Sequence, residues 1–184
     1  MTVEQSSEAP DDLENVRGFV NTLDVEYGTD RLETVGGAVA WLAEMGWSEG
    51  IGLDDGDLEP LRRLREAFRF QLLDHAGHSG LDDSAAVISE MGRIAPLVVD
   101  AGVGGPKLSP GGSGVAVILA RLLAAYYAAS VHGRWARLKV CGNDTCGWAY
   151  YDHSRNGSRR WCSSKGCGNL MAARAYRDRN RQDS

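Results

Sequence analysis

A mainly α (α+β) chain is predicted, with a helical N-terminal body that carries a short β-hairpin and a small cysteine-bearing lobe behind it. Three observations predict it. Leu58, Leu61, Leu64, Phe68 and Leu72 form one stripe at helical spacing, and residues 115–130 are apolar nearly all round. A β-branched run centred on Val98 and Val99 faces residues 106–109 across the glycine-rich segment 102–105, which reads as a hairpin. All four cysteines lie between positions 141 and 167, as two Cys-x-x-x-x-Cys pairs fifteen residues apart.

In chain order, residues 1–10 are polar without periodicity and are expected to be disordered. A helix is expected from Asp11, because Leu13, Val16, Phe19, Val20 and Leu23 recur at helical spacing behind an acidic first turn. A second helix is expected over residues 32–45, weakened at its start by Gly36 and Gly37 at about 1 kcal/mol each. The acidic loop 46–56 and the residues just after it offer Asp54, Asp55, Asp57 and Glu59 to a calcium ion, but the spacing of a calcium-binding loop is missing. Asp57 is read instead as the N-cap of a helix over residues 58–75, with Pro60 in its first turn.

On that helix Arg62, Arg63, Arg65 and Glu66 fall largely off the apolar stripe and read as a solvated face. The turn after it holds His75 and His78, a pair without a third ligand and so no metal site. Asp82 and Asp83 can cap a helix running through Met91, and residues 95–101 and 106–109 form the hairpin. The glycines of residues 102–114 lack the Gly-Lys-Ser/Thr ending of a phosphate loop and are read as turns. The helix over 115–130 is expected to be buried in the body or against a second copy, giving a possible homodimer. With Arg121 near its middle it does not suit a membrane, and no apolar run reaches about eighteen residues.

The cysteine lobe carries the most specific chemistry. Two tight turns with two thiolates each suit one tetrahedral zinc ion, held by Cys141, Cys146, Cys162 and Cys167. The same even count permits two disulfides. The first thirteen residues lack the basic and apolar regions of a secretory leader, so a cytoplasmic, reducing location is expected and metal is preferred. His132 and His153 flank a shell that four thiolates already complete. Such a shell is closed and therefore structural, supplying roughly 10–16 kcal/mol of folding energy to a lobe too small to fold on its own core.

Trp148, Tyr150, Tyr151 and Trp161 would form a mini-core around the metal, or else stack on nucleic-acid bases. Residues 138–140 and 148–151 pair as a hairpin, and Asn156-Gly157 marks a turn. Cys167 opens a helical segment over 169–180, in which Ala172, Ala173 and Tyr176 make a narrow buried stripe; the arrangement resembles a treble clef. Arg174, Arg177 and Arg181 share one face of that helix, with Leu170 on the same line.

Charge is asymmetric. Residues 134–184 carry eleven Lys or Arg against four Asp or Glu, formally +7, and residues 1–133 carry nine against twenty-one, formally −12, which together give the net −5. The chain thus divides into two units, a body over residues 1–133 and a basic lobe over residues 134–184. Candidate nucleic-acid contacts are Arg155, Arg159, Arg160, Lys165, Arg174, Arg177 and Arg181, facing phosphates of double-stranded DNA.

The residues Cys141-Gly-Asn-Asp-Thr-Cys146, Arg159-Arg-Trp-Cys162 and Cys167-Gly-Asn-Leu170, with Ala173-Arg-Ala-Tyr-Arg177 behind them, resemble the CGNR-type zinc finger family. Its members are proposed bacterial transcription regulators in which the finger comes after a helical ABATE domain linked by name to stress response. Phe19-Val-Asn-Thr-Leu23 resembles the element that opens ABATE domains, with Gly18 where the family has an aspartate. That resemblance alone implies a ligand pocket at Asn21 and Thr22. Leu170 stands where the family's Cys-Gly-Asn-Arg has arginine, which removes one expected phosphate contact.

The expected function is a DNA-binding transcription regulator with one structural zinc ion per chain and a body that senses a small-molecule effector or dimerises. The alternative is a zinc-stabilised protein–protein interaction module without DNA binding. A third reading places a ligand-binding or enzymatic site in the body, but no nucleophile–base pair stands out and the chain is read as no enzyme.

Overall fold

The computed structural model describes residues 8–10, 13–47, 50–78 and 83–182. Most of the segment expected to be disordered, and Asp82, lie outside these residues. The order of elements is α1 (Leu13–Val20), β1 (Leu23–Asp24), β2 (Thr29–Asp30), α2 (Val35–Glu44), α3 (Leu58–His75), α4 (Ser84–Ile94), β3 (Leu97–Asp100), β4 (Lys107–Pro110), α5 (Val115–Val131), β5 (Leu138–Val140), β6 (Ala149–Tyr151) and α6 (Asn169–Gln182). Among the described residues this is a mainly helical protein with three antiparallel strand pairs.

α3 runs through the centre. Its stripe of Leu58, Leu61, Leu64, Phe68 and Leu72 is buried as its spacing predicts. It packs against α1, α4 and α5. α5 buries Ile118, Leu119, Ala120, Leu122, Leu123, Ala125 and Ala129 within the body, while Arg121 lies 5.3 Å over the Trp47 ring. A cation resting on an indole face explains how an otherwise apolar helix carries an arginine. Phe19, Trp41, Phe68, Tyr126 and Trp135 meet as tilted and edge-on rings 4.8–6.4 Å apart. No helix among the described residues is long and apolar enough to cross a membrane.

Several elements differ from the sequence-based expectation. α2 begins at Val35, since the Thr34 side chain accepts from the Gly37 amide and caps there. The cap before α3 falls to Asp54, which forms a capping box with Asp57 over a 3₁₀ turn, Asp55–Asp57. Leu23 leaves α1 and pairs with Asp30 in a two-residue ribbon that nothing in the hydrophobic pattern announces.

The arginines of α3 divide. Arg63 lies on the surface beside Glu90, but Arg65 and Arg69 are only 3% and 8% exposed. Arg65 pairs with Asp30 and donates to the Thr22 hydroxyl. Burial of these two cations is tolerable because each is surrounded by acceptors.

The expected β3–β4 hairpin is present, in the register Leu97 with Pro110 through Asp100 with Lys107. β5 and β6 also pair as expected, Leu138 with Tyr151 and Val140 with Ala149. Every strand residue of this second hairpin is buried. Leu138, Val140, Ala149 and Tyr151 join the same hydrophobic cluster as α1, α3 and α5, so the strands that lead to the cysteines are part of the body's core.

Candidate metal centre

The first cysteine pair closes the β5–β6 hairpin. The Cys141 amide donates to the Trp148 carbonyl at 2.9 Å, and the Cys146 amide to the Asn143 carbonyl at 2.9 Å. The second pair runs into a wide turn, Ser164–Gly168, which holds Cys167 and is capped by Ser163, whose side chain accepts from the Gly166 amide. Cys167 therefore sits just ahead of α6. The four sulfurs lie within 4.8 Å of one another, and Cys146 to Cys162 and Cys162 to Cys167 are 3.7 and 3.8 Å apart.

These separations are far beyond the roughly 2.05 Å of a disulfide, so the two-disulfide alternative fails in this structure. They match a metal. Four sulfurs at about 2.3 Å from one zinc ion stand about 3.8 Å apart along the edges of the tetrahedron. The thiols also resist sharing the space without a cation. Contacts from Cys146 and then Cys162 favour the thiolate at Cys141, and the contact with Cys141 pushes Cys146 and Cys162 above the usual thiol range. A divalent ion removes that conflict.

Tyr150 is buried against Cys141 and Cys146, with half-buried Trp148 and Trp161 around it. Its hydroxyl donates to the Arg159 carbonyl at 2.7 Å. Of the four aromatics expected to form this mini-core, Tyr151 points the other way, into the core of the body.

The loop between the pairs hangs on Lys139 and Asp152, a fully buried ion pair at 2.9 Å. Lys139 also donates to the Gly157 and Arg159 carbonyls. Burial alone would raise the Asp152 pKa, but hydrogen bonds from Ser154, Lys139 and the Arg159 amide hold it at about 2. A lysine in the middle of a short strand gave no sign of this role. Asn156-Gly157 forms the expected turn, with Gly157 at φ +58°.

The basic residues proposed for nucleic acid separate into two groups. Arg155, Arg160, Lys165, Arg177 and Arg181 are exposed. Arg159 turns inward: Nε donates to the Trp161 carbonyl at 2.8 Å and the guanidinium covers the Tyr150 ring at 5.0 Å. Arg174 leans back on the first turn, 3.4 Å from Asn143 Oδ1 and 3.5 Å from Asp144 Oδ1. Both are thus spent largely on holding the lobe together.

No side chain of α6 is buried among residues 169–181, and Tyr176 is 60% exposed, so the expected stripe of Ala172, Ala173 and Tyr176 is wrong. The reason is geometric: α6 packs on the lobe near its first turn, where Met171 and Arg174 are half-buried and the helix meets the Ser164–Gly168 turn.

Asn21 and Thr22 turn their polar groups to partners within the fold. Asn21 exchanges two hydrogen bonds with the backbone of Ala149, and Thr22 donates to the Phe19 carbonyl while accepting from Arg65. Beside them Arg69 donates to the Gly147, Val20 and Leu23 carbonyls, tying α3 to both α1 and the hairpin turn. Gly147, at φ +60°, lies so close to Val25 that a Cβ there would meet Cγ2 at 2.6 Å. His75 and His78 serve the same joint. His75 Nδ1 is 2.9 Å from the Leu138 carbonyl, and His78 packs on Gly142, where a Cβ would meet its Nε2 at 2.4 Å. Sequence reasoning missed Arg69 altogether, since a buried arginine on α3 looks like its surface neighbours.

Two family models match the chain. One, ABATE, described as a "Putative stress-induced transcription regulator", covers residues 17–132. The other, the CGNR zinc finger, covers residues 137–180. A search of curated proteins finds no match.

Proposed function

Because the chain belongs to the ABATE family and carries a CGNR zinc finger, we propose that it is a transcription regulator that binds double-stranded DNA through its zinc-held C-terminal helix. In this reading residues 1–133 sense an effector or dimerise, and residues 134–184 make the DNA contact. One zinc ion on Cys141, Cys146, Cys162 and Cys167 fixes the turn from which α6 projects. When bound it supplies folding energy and no reactive position, since four thiolates close its shell.

The observation that carries this reading is the disposition of α6. α6 leaves the metal turn without burying a side chain among residues 169–181 and presents Arg177 and Arg181, while Arg155, Arg160 and Lys165 stay exposed on the loops behind it. A helix of that kind can enter a major groove with cations left over for phosphates. Both matched models describe regulatory or metal-binding modules rather than enzymes.

A second reading, docking on a protein partner, draws on Leu170 and Tyr176, large apolar side chains exposed on the same helix. One experiment separates the two. Full-length zinc-loaded protein is titrated with random-sequence duplex DNA over a salt series, alongside Arg177→Ala/Arg181→Ala. Binding that weakens steeply with salt is expected, and each lost phosphate contact should flatten the logarithmic slope by about 0.9. Absence of binding at low salt would leave the protein-docking reading in place.

A further inference from the structure

The four cysteines are not equivalent. Cys141 and Cys146 are 2% and 8% exposed and close a hairpin sunk in the core, whereas Cys162 and Cys167 are half-buried on the side of α6. The Cys162 amide donates to the Cys141 sulfur at 3.5 Å, and the Asn143 side-chain amide to the Cys167 sulfur at 3.6 Å. The Cys162 sulfur lies 3.7 Å from that of Cys146 and 3.8 Å from that of Cys167. An N–H···S bond draws charge from a thiolate and weakens it as a nucleophile, so within the half-buried pair Cys167 is the weaker nucleophile and Cys162 the stronger. A cleft of about 560 Å³, walled by Tyr27, Trp148 and Lys165, opens onto Cys146, Cys162 and Cys167.

From this asymmetry we propose that Cys162 is an oxidation site for hydroperoxides and Cys167 its resolving partner. The Cys162 thiolate attacks one peroxide oxygen, the O–O bond breaks, and a sulfenic acid and hydroxide result. The Cys167 thiolate, 3.8 Å away, then attacks the sulfenic sulfur and expels a second hydroxide. Two thiolates lose two electrons to one hydrogen peroxide, and two protons from solvent complete two waters. Cys146 is as near, at 3.7 Å, but it is fixed in the hairpin turn, while Cys167 lies in a turn only five residues along the chain from Cys162.

The disulfide removes two of the four metal ligands on the side that carries α6. The anchoring turn of α6, Ser164–Gly168, is then released, while β5 and β6 remain in the core of the body. Peroxide therefore disconnects the basic helix and leaves the body folded.

The proposal rests on the zinc reading, so metal content of the purified full-length protein is measured first. Hydrogen peroxide is then added in sub-stoichiometric steps. Zinc release is tracked with a chromogenic chelator, sulfenic acid is trapped with dimedone, and disulfides are mapped by peptide mass spectrometry. The expected result is a dimedone adduct on Cys162, a first disulfide joining Cys162 to Cys167, and one zinc released per disulfide. A first adduct on another cysteine, a first disulfide that includes Cys141 or Cys146, or thiols inert to peroxide would overturn it. Protein purified without zinc would sink the zinc reading separately, and the adduct and disulfide maps would still decide the assignment of Cys162.

Discussion

Asn21 and Ala149 exchange two hydrogen bonds: the Ala149 amide donates to Asn21 Oδ1 at 2.7 Å, and Asn21 Nδ2 donates to the Ala149 carbonyl at 3.1 Å. The side-chain amide thus acts as one more residue of strand pairing along β6. It joins the residue just past α1 to the hairpin that carries the first two cysteines. Asn21, which only the family resemblance points to a ligand, acts in this structure as an internal clasp.

Asn21→Ala leaves both backbone groups of Ala149 short of a partner. With a cost of about 1–3 kcal/mol for each such group that stays buried, a loss of about 2 kcal/mol is expected, or about 4–8 °C in Tm for a chain of this size. Asn21→Asp should do no better, because its carboxylate can accept from the amide but faces the carbonyl with like charge. Thermal unfolding of the three proteins checks this; an unchanged Tm for Asn21→Ala would remove the clasp from the account.

At Gly147 body and lobe approach closely. Gly147→Ala meets two costs, a left-handed backbone that L residues adopt at about 1–2 kcal/mol and the 2.6 Å contact with Val25. Combining it with Val25→Ala should relieve the 2.6 Å contact, leaving the Val25 Cβ at 3.0 Å and the backbone part. A double mutant cycle in denaturant gives the coupling, and strict additivity would show that Val25 is not the obstacle.

His75 predicts a pH dependence. Burial lowers its pKa from the ordinary 6.5, against the opposing effect of its bond to the Leu138 carbonyl. The unfolded chain therefore binds the proton more readily than the folded one, and stability is full above 6.5 and falls as pH drops from there towards the folded value. His75→Gln should flatten the dependence as pH falls below about 6.5. Retention of the full slope in that variant would assign it to another group.

How much of this was legible depended on whether a residue's role is set by its neighbours in sequence. α3, α5, the β3–β4 hairpin and the cysteine cluster obey local patterns, a 3.6-residue stripe, a glycine turn and ligand spacing, and all are found where those patterns put them. Asn21, Arg69 and Lys139 gain their roles from partners 13 to 128 residues away, which no local pattern encodes. The stripe on α6 failed for a related reason: Ala172, Ala173 and Tyr176 have the spacing of a buried face, but no element of the fold comes to cover it.

Removal of the metal should act on one side of the lobe only. α6 has fourteen residues and touches the lobe through the Ser164–Gly168 turn and Arg174, and helices of that length are marginal in water alone. The β5–β6 hairpin keeps its packing against α1 and α3, its clasp to Asn21 and the Lys139–Asp152 pair, none of which needs the cysteines. Hydrogen exchange on full-length protein before and after chelation reads both at once. Amides over residues 169–182 should lose protection by about tenfold or more, while those of β5 and β6 change little. Equal loss in the hairpin would mean that the metal holds the joint itself, with Asn21 and Arg69 dependent on the knuckle rather than fixing it.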